Sequence, residues 1–423
     1  MVLVLGLGAV GCGGGREALP AGTKLLVIGI DSADWSLLDP LLAEGKLPHL
    51  QDFKAQATSG RMLSFRPLEK SPVLWASILT GLPPERHGVG GFVAGEEQVP
   101  VRGSAWLAPA LWDIAGAAGY STAIIGMWTT YPARNINGVM VSDYLAYEKT
   151  DHSPRAGLVS PDSLDTVMLD LMVEPTRLTP ADLSRFFPAG AGERPAQDYA
   201  ELYGELLNIH AADLSYLAVA RWLAAHGQYD IFFSYLRGPD MISHKFWRYF
   251  EPQKSPVTLE EDAIALWGEV VPRYYEWVDE VVGEILGWFP PGTPAVILSD
   301  HGFHGPRLGK ARLRLGTQEH NPFGIFLVRS PHHQAGAWFD RMELLDICPT
   351  LLALLHLPAS GEMPGQVLTG GLTSGGRDLV KELEGNRLPS YQDLTPTATL
   401  ASEEDPEVDE AIRQQLRSLG YIK

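Results

Sequence analysis

Residues 25–31 read LLVIGID, a six-residue apolar run that stops on an acid, Asp31. A run this short, rich in branched side chains and without polar alternation, suits a strand buried on both faces, the setting of a parallel sheet covered by helices. The chain repeats the pattern. STAIIGM, GVMVSDY, YDIFFSYL, AVILSD and FGIFLV are similar runs, and between them fall the helical stretches WSLLDPLLAEG, VLWASILTG and LWDIAGAAG and amphipathic segments at about 200–226 and 262–289. This alternation predicts an α/β fold with a mostly parallel central sheet and helices on both faces. Residues 148–197, rich in Pro, Ser and Asp and weakly periodic, read as a cap or insertion over that sheet. The expected layout is a leader at 1–20, a catalytic domain at 21–395 and a helical C-terminal tail at 396–423.

Composition narrows the function. With 45% hydrophobic and 20% charged residues the 423-residue chain is an ordinary globular protein able to build a large core. Its 33 basic and 51 acidic residues give a formal charge of -18, which repels a polyphosphate backbone and excludes general nucleic-acid binding. A small phosphorylated substrate still fits, because bound divalent cations reverse the local field. Two cysteines, Cys12 and Cys348, cannot build a disulfide framework. Cys348 reads as a small core residue. Cys12 follows the apolar run VLVLGLGAVG, and Ala9-Val10-Gly11-Cys12 resembles an imperfect lipoprotein signal that lacks a basic start. The expectation is an exported, periplasmic or cell-envelope lipoprotein attached to a membrane through lipidated Cys12, or a cytoplasmic protein if the leader is not a signal. Gly6, Gly8 and Gly11 also spell a dinucleotide-binding G-x-G-x-x-G, but CGGGREALPAGT follows, and its glycines and proline oppose the helix that motif needs.

In open α/β sheets functional groups gather beyond the carboxyl ends of the strands. Asp31 ends LLVIGID, Asp300 ends AVILSD, and Asp240 follows YDIFFSYL after Arg237-Gly238-Pro239. Three carboxylates at one edge repel one another and call for cations or a shared proton. Histidines decide between these: His244 stands four residues after Asp240, His301 follows Asp300, and His320 sits in QEHNPFG. Imidazole with carboxylate suits zinc or a similar metal. Each element alone is weak, since a strand-terminal Asp is more often a cap and a lone His more often core or surface. The ordered set is specific.

That set, with VIGIDSADW, GKLPHL, SPVLWASILTGLPPERHGV, RGPDMISHKFW, ILSDHGF, EHNPFGIF and DICPTLLALLHLP, resembles the alkaline phosphatase superfamily, and within it the type I phosphodiesterase/nucleotide pyrophosphatase-like branch. The ending LRSLGYI is similar too. The resemblance covers about residues 25–358 and implies a three-layer sandwich that hydrolyses phosphate esters, phosphodiester or phosphomonoester, through a covalent phosphoserine at two divalent cations, zinc or else manganese. It implies that Asp240, His244 and His320 hold one ion, and that Asp31, Asp300, His301 and the Ser71 hydroxyl hold the other. Ser71, the implied nucleophile, precedes Pro72 at a helix start, where free N–H groups and the helix dipole favour phosphate. Its plain structural reading is an N-cap. Ser32, in Asp31-Ser32-Ala33, is a second candidate, but it lacks the T-G-x-x-P-x-x-H-G signature that follows Ser71.

The departures matter for substrate. Nucleotide pyrophosphatases place a phosphate-holding Asn three residues after the nucleophile; here that substrate-binding position is Leu74. Lys70, Arg237, Lys245 or His304 are candidates to replace it, each otherwise a solvated surface group. Formylglycine sulfatases need x-Pro-x-Arg after the nucleophile, and Pro72-Val73-Leu74-Trp75 does not match. His87 reads as a structural turn residue. Trp75, Trp112, Trp128 and Trp247 line a pocket or pack the core. Two rivals stay open: a phosphomutase using the same site, and an anchored binding protein without turnover.

Overall fold

The computed structural model describes residues 22–147, 156–189, 199–305, 307–308, 313–314, 319–394 and 406–422. The leader and Cys12 lie outside the described residues. The backbone centres on a nine-stranded sheet whose strands we number along the chain: β1 (Leu25–Ile30), β2 (Thr58–Leu63), β3 (Thr122–Met127), β4 (Gly138–Ser142), β5 (Val159–Ser160), β6 (Ile231–Leu236), β7 (Ala295–Leu298), β8 (Phe323–Arg329) and β9 (Trp338–Glu343). Their spatial order is β9-β2-β8-β7-β1-β6-β3-β4-β5. β7, β1, β6, β3 and β4 are mutually parallel, while β8 runs antiparallel to β7 and β2, and β5 antiparallel to β4.

β1 shows why the sheet is buried on both sides. Leu26, Ile28 and Ile30 enter one core with the helices Trp35–Ala43, Ala200–His226, Gly238–Phe250 and Val270–Gly287, whereas Leu25 and Val27 enter a second core with Ser71–Thr80, Leu111–Ala117 and Ile347–Leu354. Alternate residues point to opposite faces, so a strand covered twice is apolar at nearly every position. The result is a three-layer α/β sandwich. Gly29 is required here: a Cβ on it would lie 2.7 Å from the Trp75 ring and 3.1 Å from that of Tyr235. Its missing side chain lets the Ser71–Thr80 helix settle against β1.

Some elements differ from the sequence expectation. β2 (TSGRML) and β9 (WFDRME) carry polar residues among few branched ones; β9 is the edge strand, exposed at four of its six positions and shifted in register between Phe339 and Arg341. The stretch read as one helix at about 262–289 is two, Glu261–Trp267 and Val270–Gly287, separated at Gly268. Within the expected insertion, Val159–Ser160 joins the sheet edge and Asp165–Asp170 is helical. The tail helix Pro406–Ser418 docks Val408, Ile412, Leu416 and Leu419 into the first core. Buried Asp409 receives two hydrogen bonds, 2.9 and 2.8 Å, from the Arg102 guanidinium.

Candidate metal centre

The three central strands, β7-β1-β6, are neighbours, and the chain segments leaving their carboxyl ends supply Asp300, Asp31 and Asp240. A hydrogen bond from Asp31 N–H to Leu236 O, 2.9 Å, ties two of these exits together. Asp240 and His244 lie one turn apart on the Gly238–Phe250 helix and so share a face. His320 begins a two-residue strand that pairs with Gly302–Phe303, which brings it beside His301; the two imidazoles stack with centroids 3.9 Å apart. Donor atoms of Asp31, Asp300 and His301 lie within 4.8 Å of one another, and so do those of Asp240, His301 and His320. His244 Nε2 stands 2.9 Å from His320 Nε2 and 3.4 Å from Asp240 Oδ2. His301 therefore sits between two adjoining groups of donors.

Second partners aim these rings. His301 Nδ1 lies 3.0 Å from Gly302 O, and since a carbonyl only accepts, that nitrogen carries the proton and Nε2 faces the acids with its lone pair. His244 Nδ1 is held by Glu319 Oε2 at 2.7 Å, which turns its Nε2 inward in the same way. Tyr235, from β6, donates from its hydroxyl to Asp31 Oδ2 and packs edge-on against Trp75.

The electrostatics favour cations. Burial, then the charge of Asp240, raises the Asp31 carboxyl to about 7. Burial and the neighbouring Asp31 carry Asp300 well above the carboxylate range. Burial pushes Asp240 in the same direction, but His244 and His320 together outweigh it and hold it well below. Both carboxylate oxygens of Asp300 are buried without a hydrogen-bond partner. His301 Nε2 stands 3.5 Å from Oδ2, and a buried carboxylate without hydrogen-bond donors is costly unless a positive charge meets it. Carboxylate oxygens and inward imidazole nitrogens are the donor set of a zinc-type ion, so these residues fit divalent cations.

Ser71 opens its helix, but Lys70 is the N-cap residue and the Ser71 side chain does not cap. Its Oγ donates to Asp31 Oδ1 at 3.4 Å and lies 3.2 Å from His301 Nε2. The helix end offers fewer amides than expected, because Pro72 has none and the Val73 and Leu74 N–H groups both donate to Lys70 O. Ser32 turns the chain after β1 with φ 68, in the left-handed region, and its buried Oγ makes no hydrogen bond. His87 is structural: its Nε2 meets Ser77 Oγ at 2.9 Å, and Val89 N–H donates to its Nδ1 at 3.2 Å.

The candidate substrate contacts separate. Leu74 is completely buried in the second core, which leaves no phosphate-holding group at that position. Lys245 donates to Glu205 and to Ser418 O, so it is spent on the tail. Arg237 is buried between the Trp128 and Tyr216 rings and donates to Asp143 O. His304 Nδ1 is satisfied by Gly305 O at 2.8 Å. Lys70 is partly exposed beside Ser71. Trp75 and Trp112 are core residues; Trp128 stacks edge-on with Phe92, and Trp247 packs on Phe303.

Sequence reasoning missed Glu319, Tyr235 and Tyr421. Glu319 adjoins His320 in a stretch already singled out, and Tyr235 lies in register beside Gly29 on β1, a pairing no single strand reveals. Tyr421 comes from the tail, and its hydroxyl reaches Asp240, His244 and His320.

Comparisons with known proteins agree with this geometry. Residues 25–307 match the family model described as type I phosphodiesterase / nucleotide pyrophosphatase. A search of curated sequences finds no match. Among solved structures, a 2-O GAG sulfatase is 14% identical over 82% of this chain and 73% of its own, with a TM-score of 0.52. A sulfatase-like protein from Bacteroides thetaiotaomicron VPI-5482 is 13% identical over 86% and 75%, with a TM-score of 0.51. Murine ectonucleotide pyrophosphatase/phosphodiesterase 5 is 12% identical over 85% and 99%, at a TM-score of 0.43. The two sulfatase likenesses show a shared fold; the family match, which spans most of the chain and contains every site residue except those of the His320 loop and the tail, goes further. This chain is an enzyme that belongs to the type I phosphodiesterase/nucleotide pyrophosphatase family, a phosphoric ester hydrolase of the alkaline phosphatase superfamily.

Proposed function

We propose that the protein cleaves phosphate mono- or diesters by way of a phosphoseryl intermediate on Ser71, at a site loaded with two divalent cations. One observation carries the reading: Ser71 Oγ lies 3.2 Å from His301 Nε2 and 3.4 Å from Asp31 Oδ1, and the same His301 nitrogen lies 3.5 Å from Asp300 Oδ2. Asp31, Asp300, His301 and Ser71 would hold one ion, and Asp240, His244 and His320 the other. Such ions, when bound, supply Lewis-acid charge for the phosphoryl oxygens and make a hydroxyl nucleophilic at neutral pH.

The chain's own residues do the rest. Ser71 is fixed at the first position of a completely buried helix, so its oxygen is presented without rotational freedom of the backbone. Its Oγ forms a bond to phosphorus while the bond to the leaving oxygen breaks, and the Ser71 proton, which faces Asp31 Oδ1, passes by way of that oxygen to the leaving oxygen. Water then attacks the same phosphorus, the Oγ–P bond breaks, and one proton of that water passes to Ser71 Oγ while its hydroxyl stays on the released phosphate. Glu319 and Gly302 keep the two imidazoles turned inward throughout. A paired assay of aryl phosphate monoester and diester hydrolysis after zinc or manganese loading tests this. Turnover of at least one ester with phosphate trapped on Ser71 supports it, and turnover that proceeds normally in Ser71→Ala refutes it. Retention of the phosphoryl group within a single product would instead mark a phosphomutase.

A further inference from the structure

Tyr421, just beyond the tail helix, reaches Asp240, His244 and His320. After the Pro406–Ser418 helix, Gly420 adopts φ 81, Gly420 N–H donates to Arg417 O at 3.0 Å and Tyr421 N–H to Leu416 O at 2.9 Å. This pair of bonds about a left-handed glycine is a Schellman motif, in which the residue after the glycine is thrown back along the helix. The residue delivered is Tyr421. Leu416 and Leu419 bury the helix on one side, Arg102 clamps Asp409, and Lys245 holds Ser418 O at 3.1 Å, so the tail is fastened along its length. The Tyr421 ring packs on Phe92 with centroids 4.6 Å apart.

Its hydroxyl donates to Asp240 Oδ2 at 2.9 Å and lies 2.9 Å from His244 Nε2 and 3.1 Å from His320 Nε2. The imidazole nitrogens lie 2.9 Å apart, His244 Nε2 is 3.4 Å from Asp240 Oδ2 and His320 Nε2 is 3.3 Å from Asp240 Oδ1. The hydroxyl therefore stands within 3.1 Å of an atom of each of the three side chains, the crowding expected of donors gathered round one small ion.

We infer that the Tyr421 oxygen is a fourth protein ligand, supplied by the C-terminal tail, for the cation held by Asp240, His244 and His320. The inference rests on the two-cation reading above. It gives each part of the closing segment LRSLGYI a role, since the glycine forms the turn and the tyrosine supplies the donor.

Tyr421→Phe removes the oxygen and keeps the ring that packs on Phe92, so folding is preserved. Zinc affinity is read by competition with a chromophoric chelator, on the full chain and on Tyr421→Phe, together with the visible spectrum of the cobalt(II)-loaded forms. The full chain is expected to hold two ions, and the variant to hold one of them roughly 10–100-fold more weakly, the loss typical of a displaced ligand or its support, with an altered cobalt spectrum. Two ions of unchanged affinity and an unchanged spectrum in the variant would overturn this inference alone. No ion bound by the full chain would overturn the two-cation reading and this inference with it.

Discussion

His87 offers a quantitative check on how the Ser71–Thr80 helix is secured. Its ring is completely buried between Ser77, on the helix that begins at Ser71, and the Val89 amide. Nδ1 accepts from an N–H, so the folded state holds the neutral ring, and burial lowers its pKa from 6.5 to about 4. The unfolded chain therefore takes up a proton at His87 between these values and the folded protein does not. The stability His87 contributes is fully present above pH 6.5 and is lost as pH falls towards 4. A tenfold change in proton affinity is worth about 1.4 kcal/mol, so the whole interval corresponds to roughly 3 kcal/mol. Buried His210 and His333 are also lowered to about 4, and Asp31 is raised to about 7, so the wild-type curve alone is not diagnostic. The comparison with His87→Gln isolates the contribution. Urea unfolding of both proteins in chelator, from pH 7.5 to 4, should show the variant less stable at neutral pH and the difference shrinking by roughly 3 kcal/mol on acidification. A stability difference independent of pH would mean that a buried neutral imidazole does not pin this helix.

Ser71→Ala should lower turnover by roughly 10⁴-fold or more, as loss of a covalent nucleophile does, while metal content and thermal unfolding stay near wild type; activity within tenfold of wild type would reassign the nucleophile. His320→Ala should release one of two bound cations and cut activity at least roughly 100-fold, which metal analysis beside a rate measurement checks; full metal content with normal rate would remove His320 from the ligand set. Gly29→Ala places a Cβ 2.7 Å from Trp75 and should destabilise by about 1–3 kcal/mol in urea titration; a neutral effect would mean that the helix can shift away from β1 at little cost.

Much of the architecture was legible because burial on both faces leaves a plain signature. LLVIGI, TAIIGM, IFFSYL and AVIL are buried at every position and, apart from Thr122 and Ser234, carry no polar side chain, as suits strands between two helix layers. β2 and β9 escaped for the opposite reason: TSGRML and WFDRME lie towards a sheet edge, where polar residues are tolerated and the period is diluted by glycine and charge. The break at Gly268 was invisible because the apolar stripe resumes in phase on both sides of it. At the centre, Asp31, Asp240 and Asp300 were readable as strand-exit acids, and their histidines by spacing. Glu319 and Tyr235 act through other side chains, and such second partners leave no spacing of their own. Tyr421 lies 101 residues beyond His320, and only the docking of an acidic amphipathic tail through Asp409, Val408 and Ile412 brings it there.

On the proposed reading, residues far apart in sequence form two adjoining cation sites beside one serine oxygen. Anomalous diffraction from crystals of the zinc-loaded protein, recorded on both sides of the zinc edge, locates such ions without reference to activity. Two peaks are expected, one among Asp240, His244 and His320 and one among Asp31, Asp300, His301 and Ser71 Oγ. A single peak, or peaks away from these side chains, would contradict the two-cation site.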